Sequence, residues 1–223
     1  GLGYKVSLVK TDNNFNFFNI IGGYEDYDTT RSNHFVYTEN VYAGYVNYQK
    51  TFGKFDLQAG VRLENTDSEG DLKSATSNTE DKNVKRNYID FFPSGGITWN
   101  ANKTNSFGLT YSRRIERPNY QELNPFEYKL DELSYRKGNP FLNPQYSDNV
   151  SLSHTWKYTY TTEIGYSNTQ DFFAQITDTF PGGKSYITSK NLATEKVLSV
   201  NFSGSAQPTK WYSVYVNAGL YNQ

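Results

Sequence analysis

The sequence predicts an all-β chain: an antiparallel up-and-down transmembrane β-barrel, of which about nine strands are present. Three observations carry that prediction. Side-chain character repeats every second residue wherever a pattern is visible. The connections between strands are alternately very short and long. All three tryptophans, Trp99, Trp156 and Trp211, fall within a few residues of a short connection.

Residues 4–9 read as the first strand and 39–52 as the second. The third is the clearest: Phe55, Leu57, Ala59, Val61 and Leu63 fall on one face, and Asp56, Gln58, Gly60, Arg62 and Glu64 on the other. Residues 87–100 form the fourth. In the fifth, Phe107, Leu109 and Tyr111 alternate with Gly108, Thr110 and Ser112. In the sixth, Val150, Leu152, His154 and Trp156 alternate with Ser151, Ser153 and Thr155. Residues 159–173 and 186–205 continue less cleanly, and Tyr212, Val214, Val216, Ala218 and Leu220 line one face of the last. Several strands reach the roughly 9–11 residues that cross a bilayer at a tilt. The soluble mode is about 5–6.

The connections explain the environment. "FGKF" (52–55), "ANKTN" (101–105), "KYT" (157–159) and "AQPTK" (206–210) are tight turns, whereas 11–36, 67–86, 117–145 and 174–185 are long and polar. In a barrel of the outer membrane, short turns face the periplasm and long loops face outside. Trp99, Trp156, Tyr158, Tyr160 and Trp211, with Phe52, are then an interfacial aromatic belt. Arg62, Glu64, Lys157 and Glu163 are expected on the inner, watered face.

Composition bounds the rest. The 223 residues suffice for one large domain, taken here as a single partial barrel over 1–223 without a plug domain. With 22 basic against 23 acidic residues, no field attracts nucleic acid. Only 36% of residues are hydrophobic but 17% are aromatic, which suits half-buried strands rather than disorder. The absence of cysteine excludes disulfides and thiolate metal sites. A first residue Gly1, no methionine and no signal peptide suggest an internal or processed piece of a longer protein. An open nine-strand sheet in lipid would leave edge groups unpaired at several kcal/mol each, roughly, so further strands are expected.

"YSRRIERPNYQELNPF" (111–126) and "KGNPFLNPQYSDNVSLS" (137–153) resemble the Bacteroidetes-type outer-membrane β-barrel family related to TonB-dependent receptors. Residues 31–66, "RNYIDFFPSGG" (86–96) and "KNLATEK" (190–196) are similar to the same family, so the resemblance covers most of the chain in order. It implies a receptor or transporter of the bacterial cell outer membrane. Full-length relatives enclose a plug in a barrel of about twenty-two strands and couple to the TonB system. The implied partners are outer-membrane lipid, the rest of the parent barrel with its plug, TonB through the parent, and a surface lipoprotein.

Within the 111–126 stretch, Arg113 and Arg114 stand where a strand leaves the membrane, and Pro118 should end the ladder near Arg117. Pro125, Pro140 and Pro144 stiffen the loop beyond it, and Gly138 suggests a turn disfavoured for other residues. "NPF" at Asn124 and again at Asn139 reads as paired turns carrying aromatic plugs. One reading is a rigid rim loop held by arginine and asparagine bonds to backbone carbonyls; the other is a ligand-contacting surface.

Other groups carry weaker readings. Glu25, Asp26 and Asp28 could hold calcium or simply form a solvated loop tip. His34 and His154 are the only histidines, and His154 suits an interfacial place. The basic run 82–86 is either a solvated face or a contact for anionic lipopolysaccharide. No nucleophile–base constellation is visible, so neither an enzyme nor a cofactor is expected. The expected function is part of a passage and vestibule for nutrient uptake. The alternatives are a scaffold barrel in an outer-membrane complex and a soluble, secreted, carbohydrate-binding β-sandwich.

Overall fold

A computed structural model describes residues 1–75, 82–179 and 183–223. The elements are β1 (Leu2–Phe15), β2 (Phe18–Ile21), β3 (Tyr24–Tyr27), β4 (Asn33–Phe52), β5 (Phe55–Lys73), β6 (Asn83–Asn102) and β7 (Asn105–Glu116). A short helix, α1 (Tyr120–Leu123), precedes β8 (Glu127–Lys129) and β9 (Ser134–Lys137). The chain ends with β10 (Gln145–Trp156), β11 (Tyr160–Thr179), β12 (Ser185–Thr209) and β13 (Tyr212–Asn222).

Nine long strands lie side by side in the order β1-β4-β5-β6-β7-β10-β11-β12-β13, each antiparallel to the next. They make one layer rather than the two of a sandwich. The sheet is open: among the described residues β1 pairs only with β4, and β13 only with β12. No helix is long and apolar enough to cross a membrane, which says nothing about strands.

The four short turns lie at one end of the sheet, three of them within the expected bounds; the fourth sits at 210–211 rather than 206–210, because β12 keeps its ladder to Thr209 across an irregularity in register. Gly53 takes a φ of 58° between Phe52 and Phe55. Lys157 and Tyr158 adopt left-handed φ values of 52° and 56° to join β10 to β11. The register then aligns one face across seven strands: Leu57, Ile97, Leu109, Leu152, Ile164, Val200 and Leu220 are successive partners. One residue along, Gln58, Gly96, Thr110, Ser151, Gly165, Ser199 and Tyr221 form the opposite row. The hollows of the sheet lie mainly on that second, polar face. A continuous aliphatic row on the convex side, with Leu109, Leu152 and Ile164 each about half exposed, requires an apolar medium.

The long connections differ from expectation. β5 continues to Lys73 and β6 starts at Asn83, so much of 67–86 is ladder; likewise β11 runs to Thr179 and β12 starts at Ser185. Beyond the lipid both faces can be polar, so the period-two signal fades although the hydrogen-bonded ladder does not. The parts of these two connections at 76–81 and 180–182 lie outside the described residues.

Candidate functional site

The region 117–145 is a folded brace. Its origin is a break in the wall: the β6–β7 ladder stops at Ser94–Ser112, and the next position on β6 is Pro93, which has no N–H to continue it. β7 and β10 nevertheless stay paired up to Glu116–Gln145. The top of this hairpin is joined to β5 and β6 by side chains. The Tyr146 hydroxyl donates to Asp90 Oδ1 at 3.0 Å. Arg117 donates through Nη2 to Glu64 Oε2 at 2.7 Å and to Thr66 Oγ1 at 2.9 Å, and through Nε to the Tyr88 hydroxyl at 3.3 Å. Arg62 Nε lies 2.9 Å from the other oxygen of Glu64, so one buried carboxylate serves two guanidinium groups.

Beyond Pro118, Asn119 caps α1: its side chain accepts from the N–H of Gln121 and Glu122, and Glu122 accepts from the Asn119 N–H in return. The two NPF turns are alike in backbone, with Asn124 Oδ1 accepting from Phe126 N–H and Asn139 Oδ1 from Phe141 N–H. Their side chains are not alike. Phe126 is buried with Phe35, Tyr37 and Leu72, and Tyr120, Leu123 and Tyr128 pack around them. Phe141 is 57% exposed, and the adjacent Leu142 is buried instead. The expectation of two aromatic plugs therefore fails at the second turn.

Gly138 needs a different reason from the expected one. It is not in the left-handed region; a Cβ there would stand 2.4 Å from the Asn124 carbonyl oxygen. Its requirement is close approach, made as Gly138 N–H donates to that same oxygen at 2.9 Å. The carbonyl-binding arginine is also unexpected. Arg86, from the basic run 82–86, donates to the Leu142 carbonyl at 2.5 Å and the Pro140 carbonyl at 2.7 Å. Burial draws its guanidinium below its ordinary pKa, while two carbonyl dipoles hold it in place. On the far side, Asn139 Nδ2 donates to the Ser189 carbonyl, Asn191 Nδ2 donates to the Asn143 carbonyl, and β9 pairs in parallel with the start of β12. The brace thus joins β4–β6 to β12.

This architecture is matched by a family model over residues 1–223, the outer membrane protein beta-barrel family. The chain belongs to that family. It is a β-barrel chain of the bacterial outer membrane, and the convex aliphatic row is its lipid face. A search of curated proteins matched none. Among solved structures it resembles the copper transporter OprC, with TM-score 0.63 and 13% identity over 98% of this chain and 35% of that one. It also resembles the siderophore receptor PirA from Pseudomonas aeruginosa (TM-score 0.56, 12% identity, 99% and 51% covered). A third is the Serratia marcescens hemophore receptor HasR in complex with its hemophore HasA and heme (TM-score 0.58, 12% identity, 91% and 40% covered). The family member described here spans about a third to a half of each of those chains.

In this outer-membrane family member aromatic rings near the short turns form two runs of contacts, the first stacked throughout. Phe55 and Trp99 rings are 6.3 Å apart, Trp99 and Phe107 5.6 Å, and Phe107 and the His154 imidazole 4.6 Å. Trp156, Tyr160 and Phe202 continue at 5.6 and 6.5 Å. Trp99, Trp156 and Tyr160 are the expected members of the belt; Phe55 and Phe107 stand just inside a turn, while Phe202 joins from within β12. Tyr158 lies in one turn and Trp211 in another, its ring 5.8 Å from that of Tyr212 and tilted to it. His154 Nε2 also meets Asn105 Oδ1 at 3.0 Å, while His34 meets Asp12 at 2.7 Å.

Arg62, Glu64 and Glu163 lie on the polar, concave row. Lys157 does not join them: it is a turn residue, and its ammonium lies 4.4 Å over the Trp156 ring. Arg113 and Arg114 take opposite faces of β7, with Arg113 3.8 Å from Asp148 and 5.4 Å over the Tyr146 ring. Pro125 is buried within the brace, and Pro144 leads into β10. The acidic group does not converge. Glu25 and Asp26 are neighbours on β3 and so point to opposite faces, and Asp28 is engaged with Thr30, whose hydroxyl holds its carboxyl below the ordinary value. No cluster that could hold a metal occurs among the described residues.

Proposed function

We propose that this chain forms part of the wall and external vestibule of an outer-membrane passage for nutrient uptake, of the TonB-dependent receptor type. The observation that carries the reading is the brace: a folded loop pinned by Arg117 and Arg86 on one side and by β9, Asn139 and Asn191 on the other, above a polar concave face. A wall serving only as a scaffold has no need of a rigid mouth over a polar interior. The resemblance to a copper transporter and to siderophore and hemophore receptors supports the same reading. The chain's free edges at β1 and β13 would pair with further strands of the parent barrel, since unpaired backbone in lipid costs several kcal/mol per group, roughly. A plug and the TonB system would supply gating and energy through that parent.

Single-cysteine scanning of residues 55–64 in the full-length protein in intact cells tests it. Odd positions should react with a lipid-phase reagent, and even positions with a water-soluble reagent added from outside. If even positions never react from outside, the concave face is no external passage and the reading is wrong.

A further inference from the structure

One joint in the wall lacks its backbone ladder. β6 stays paired with β5 up to Asn83–Asp71, but its ladder with β7 ends at Ser94–Ser112. Even-numbered positions along β6 bond towards β5: the Asn100 N–H donates to the Lys54 carbonyl, and the Lys82 carbonyl, just before the strand, accepts from Leu72 N–H. Odd-numbered positions therefore turn their backbone groups towards β7. Pro93 has no N–H to offer there, and Phe91 and Ile89 have no ladder partner on that side. Their side chains belong to the lipid row and are 52% and 74% exposed. Trp99 marks the inner interface; at about 3.3 Å per residue and a tilt of about 45°, Ser94 stands about 12 Å and Ile89 about 23 Å above it. The apolar band of such a barrel is about 25 Å tall, so the bare edge spans the outer leaflet.

The β7–β10 hairpin does not abut this edge but passes behind it. Tyr146 shares the lipid row of β10 with Val150 and Leu152, yet its hydroxyl donates to Asp90 Oδ1, on the polar row of β6, at 3.0 Å. Arg117 likewise crosses to Glu64, on the polar row of β5, at 2.7 Å. The two parts of the wall thus overlap in a lapped seam that side chains close. Within it Asp90 Oδ2 is buried with no hydrogen-bond partner among the described residues. The Ser94 and Ser112 hydroxyls stand at the foot of the seam.

A bare backbone edge persists at lipid depth only where something polar or a covering group meets it. This seam is apolar at its lipid mouth and holds unused hydrogen-bonding groups within, which suits a molecule of the same two-part character. We propose that the β6–β7 seam is a lateral site, open to the outer leaflet, for an amphiphile with one alkyl chain and an uncharged, hydroxyl-bearing head. The chain lies along Phe91 and Ile89, and a head-group hydroxyl donates to Asp90 Oδ2. A carboxylate oxygen accepts from a hydroxyl and repels an anionic head. An added β-strand does not fit, because Tyr146 and Arg117 already cross the edge it would pair with. The site needs only the membrane wall; entry of its occupant into the vestibule from the side rests on the passage reading above.

The experiment irradiates full-length protein in phospholipid vesicles with a monoacylglycerol whose chain carries a diazirine, and maps the adducts by peptide mass spectrometry. Label should concentrate on 86–94 and 111–116, and excess unlabelled monoacylglycerol should suppress it at least about fivefold. Leu152 and Ile164, with intact ladders on both sides, should carry only label that the competitor does not suppress. An alkyl sulfate of the same chain length should suppress the seam label far less than monoacylglycerol does. Asp90→Asn keeps an acceptor for Tyr146 and replaces the free oxygen with a donor. It should remove most of the suppressible label while inserting as wild type does, checked by heat-modifiable gel mobility. Label spread evenly along the wall, label that no competitor suppresses, or equal suppression by the alkyl sulfate overturns the proposal, each in wild type alone. Unchanged suppressible label in Asp90→Asn overturns it as well. A positive cysteine scan without suppressible seam label removes the lateral site and leaves the passage; suppressible seam label with a negative scan removes the passage and leaves the site.

Discussion

The half of the sheet near the short turns and the braced half at the other end are built on different physics. Near the turns the described residues form no core. Strands are joined by backbone ladders, one face is aliphatic, the other polar, and both are open in the chain as it stands. At the braced end is the buried cluster of Phe35, Tyr37, Leu72 and Phe126, with guanidinium groups bridging strands that no longer pair. The first region is stabilised by its solvent being lipid; the second is a small water-soluble assembly seated on top of the strands. A membrane protein can therefore lose one without losing the other, and substitutions should separate the two.

The largest effect is expected at the aromatic plug. Phe126→Ala removes a fully buried ring from the braced end and should cost about 3–5 kcal/mol locally. Amide exchange in 119–142 should rise steeply, while the ladder between Leu109 and Leu152 stays protected. Collapse of both together would mean the two halves form one cooperative unit. Next comes the lipid row. Leu109→Arg should impair folding into lipid vesicles by about 2–4 kcal/mol if the site is near the midplane, and Gln58→Arg on the concave row should be close to neutral. Equal sensitivity at the two positions would remove the distinction between the faces.

Legibility divides along the same line. The lipid rows could be read because alternation is local: each residue announces its face by its neighbours two places away. Three short turns and the nine long strands could be placed that way, and the fourth turn to within a few residues. The brace was visible only as stiffness. Pro118 and the NPF repeats foretell a folded loop, but not that Phe126 meets apolar partners while Phe141 meets water, because those partners come from β4 and β5. Arg86 looked like one charge in a solvated basic run, since its carbonyl acceptors lie 54 and 56 positions away. Arg117 reaches 53 positions back to Glu64, and no local pattern encodes such a pairing.

Arg86 gives the third, smaller test. Arg86→Met keeps the buried stem and removes the charged fork from two carbonyls, at about 1.5–3 kcal/mol. Limited proteolysis from outside should then nick within 117–144 in cells while the protein remains inserted. Arg86→Lys should restore only part of the protection, because one ammonium does not span both acceptors with the geometry of a guanidinium. Full restoration by lysine would reduce the role of Arg86 to charge alone.

The smallest effect concerns the one helical turn. Asn119 and Glu122 form a reciprocal cap around α1, a pattern readable in "NYQE" but hidden under the period-two reading of its surroundings. α1 is too short to persist by itself, so its cap matters only as far as it fixes the direction in which the chain enters the brace. Asn119→Ala should cost about 0.5–2 kcal/mol. Asn119→Asp, which keeps the acceptor, should cost less, but it places a carboxylate beside the Glu122 side chain. If the brace is a cooperative soluble unit, amide exchange at Leu142, far from α1 in sequence, should rise in step with exchange at Glu122. Exchange rising at Glu122 alone would show that α1 merely decorates the loop, and that the arginine clamps and the Phe126 cluster hold the mouth without it.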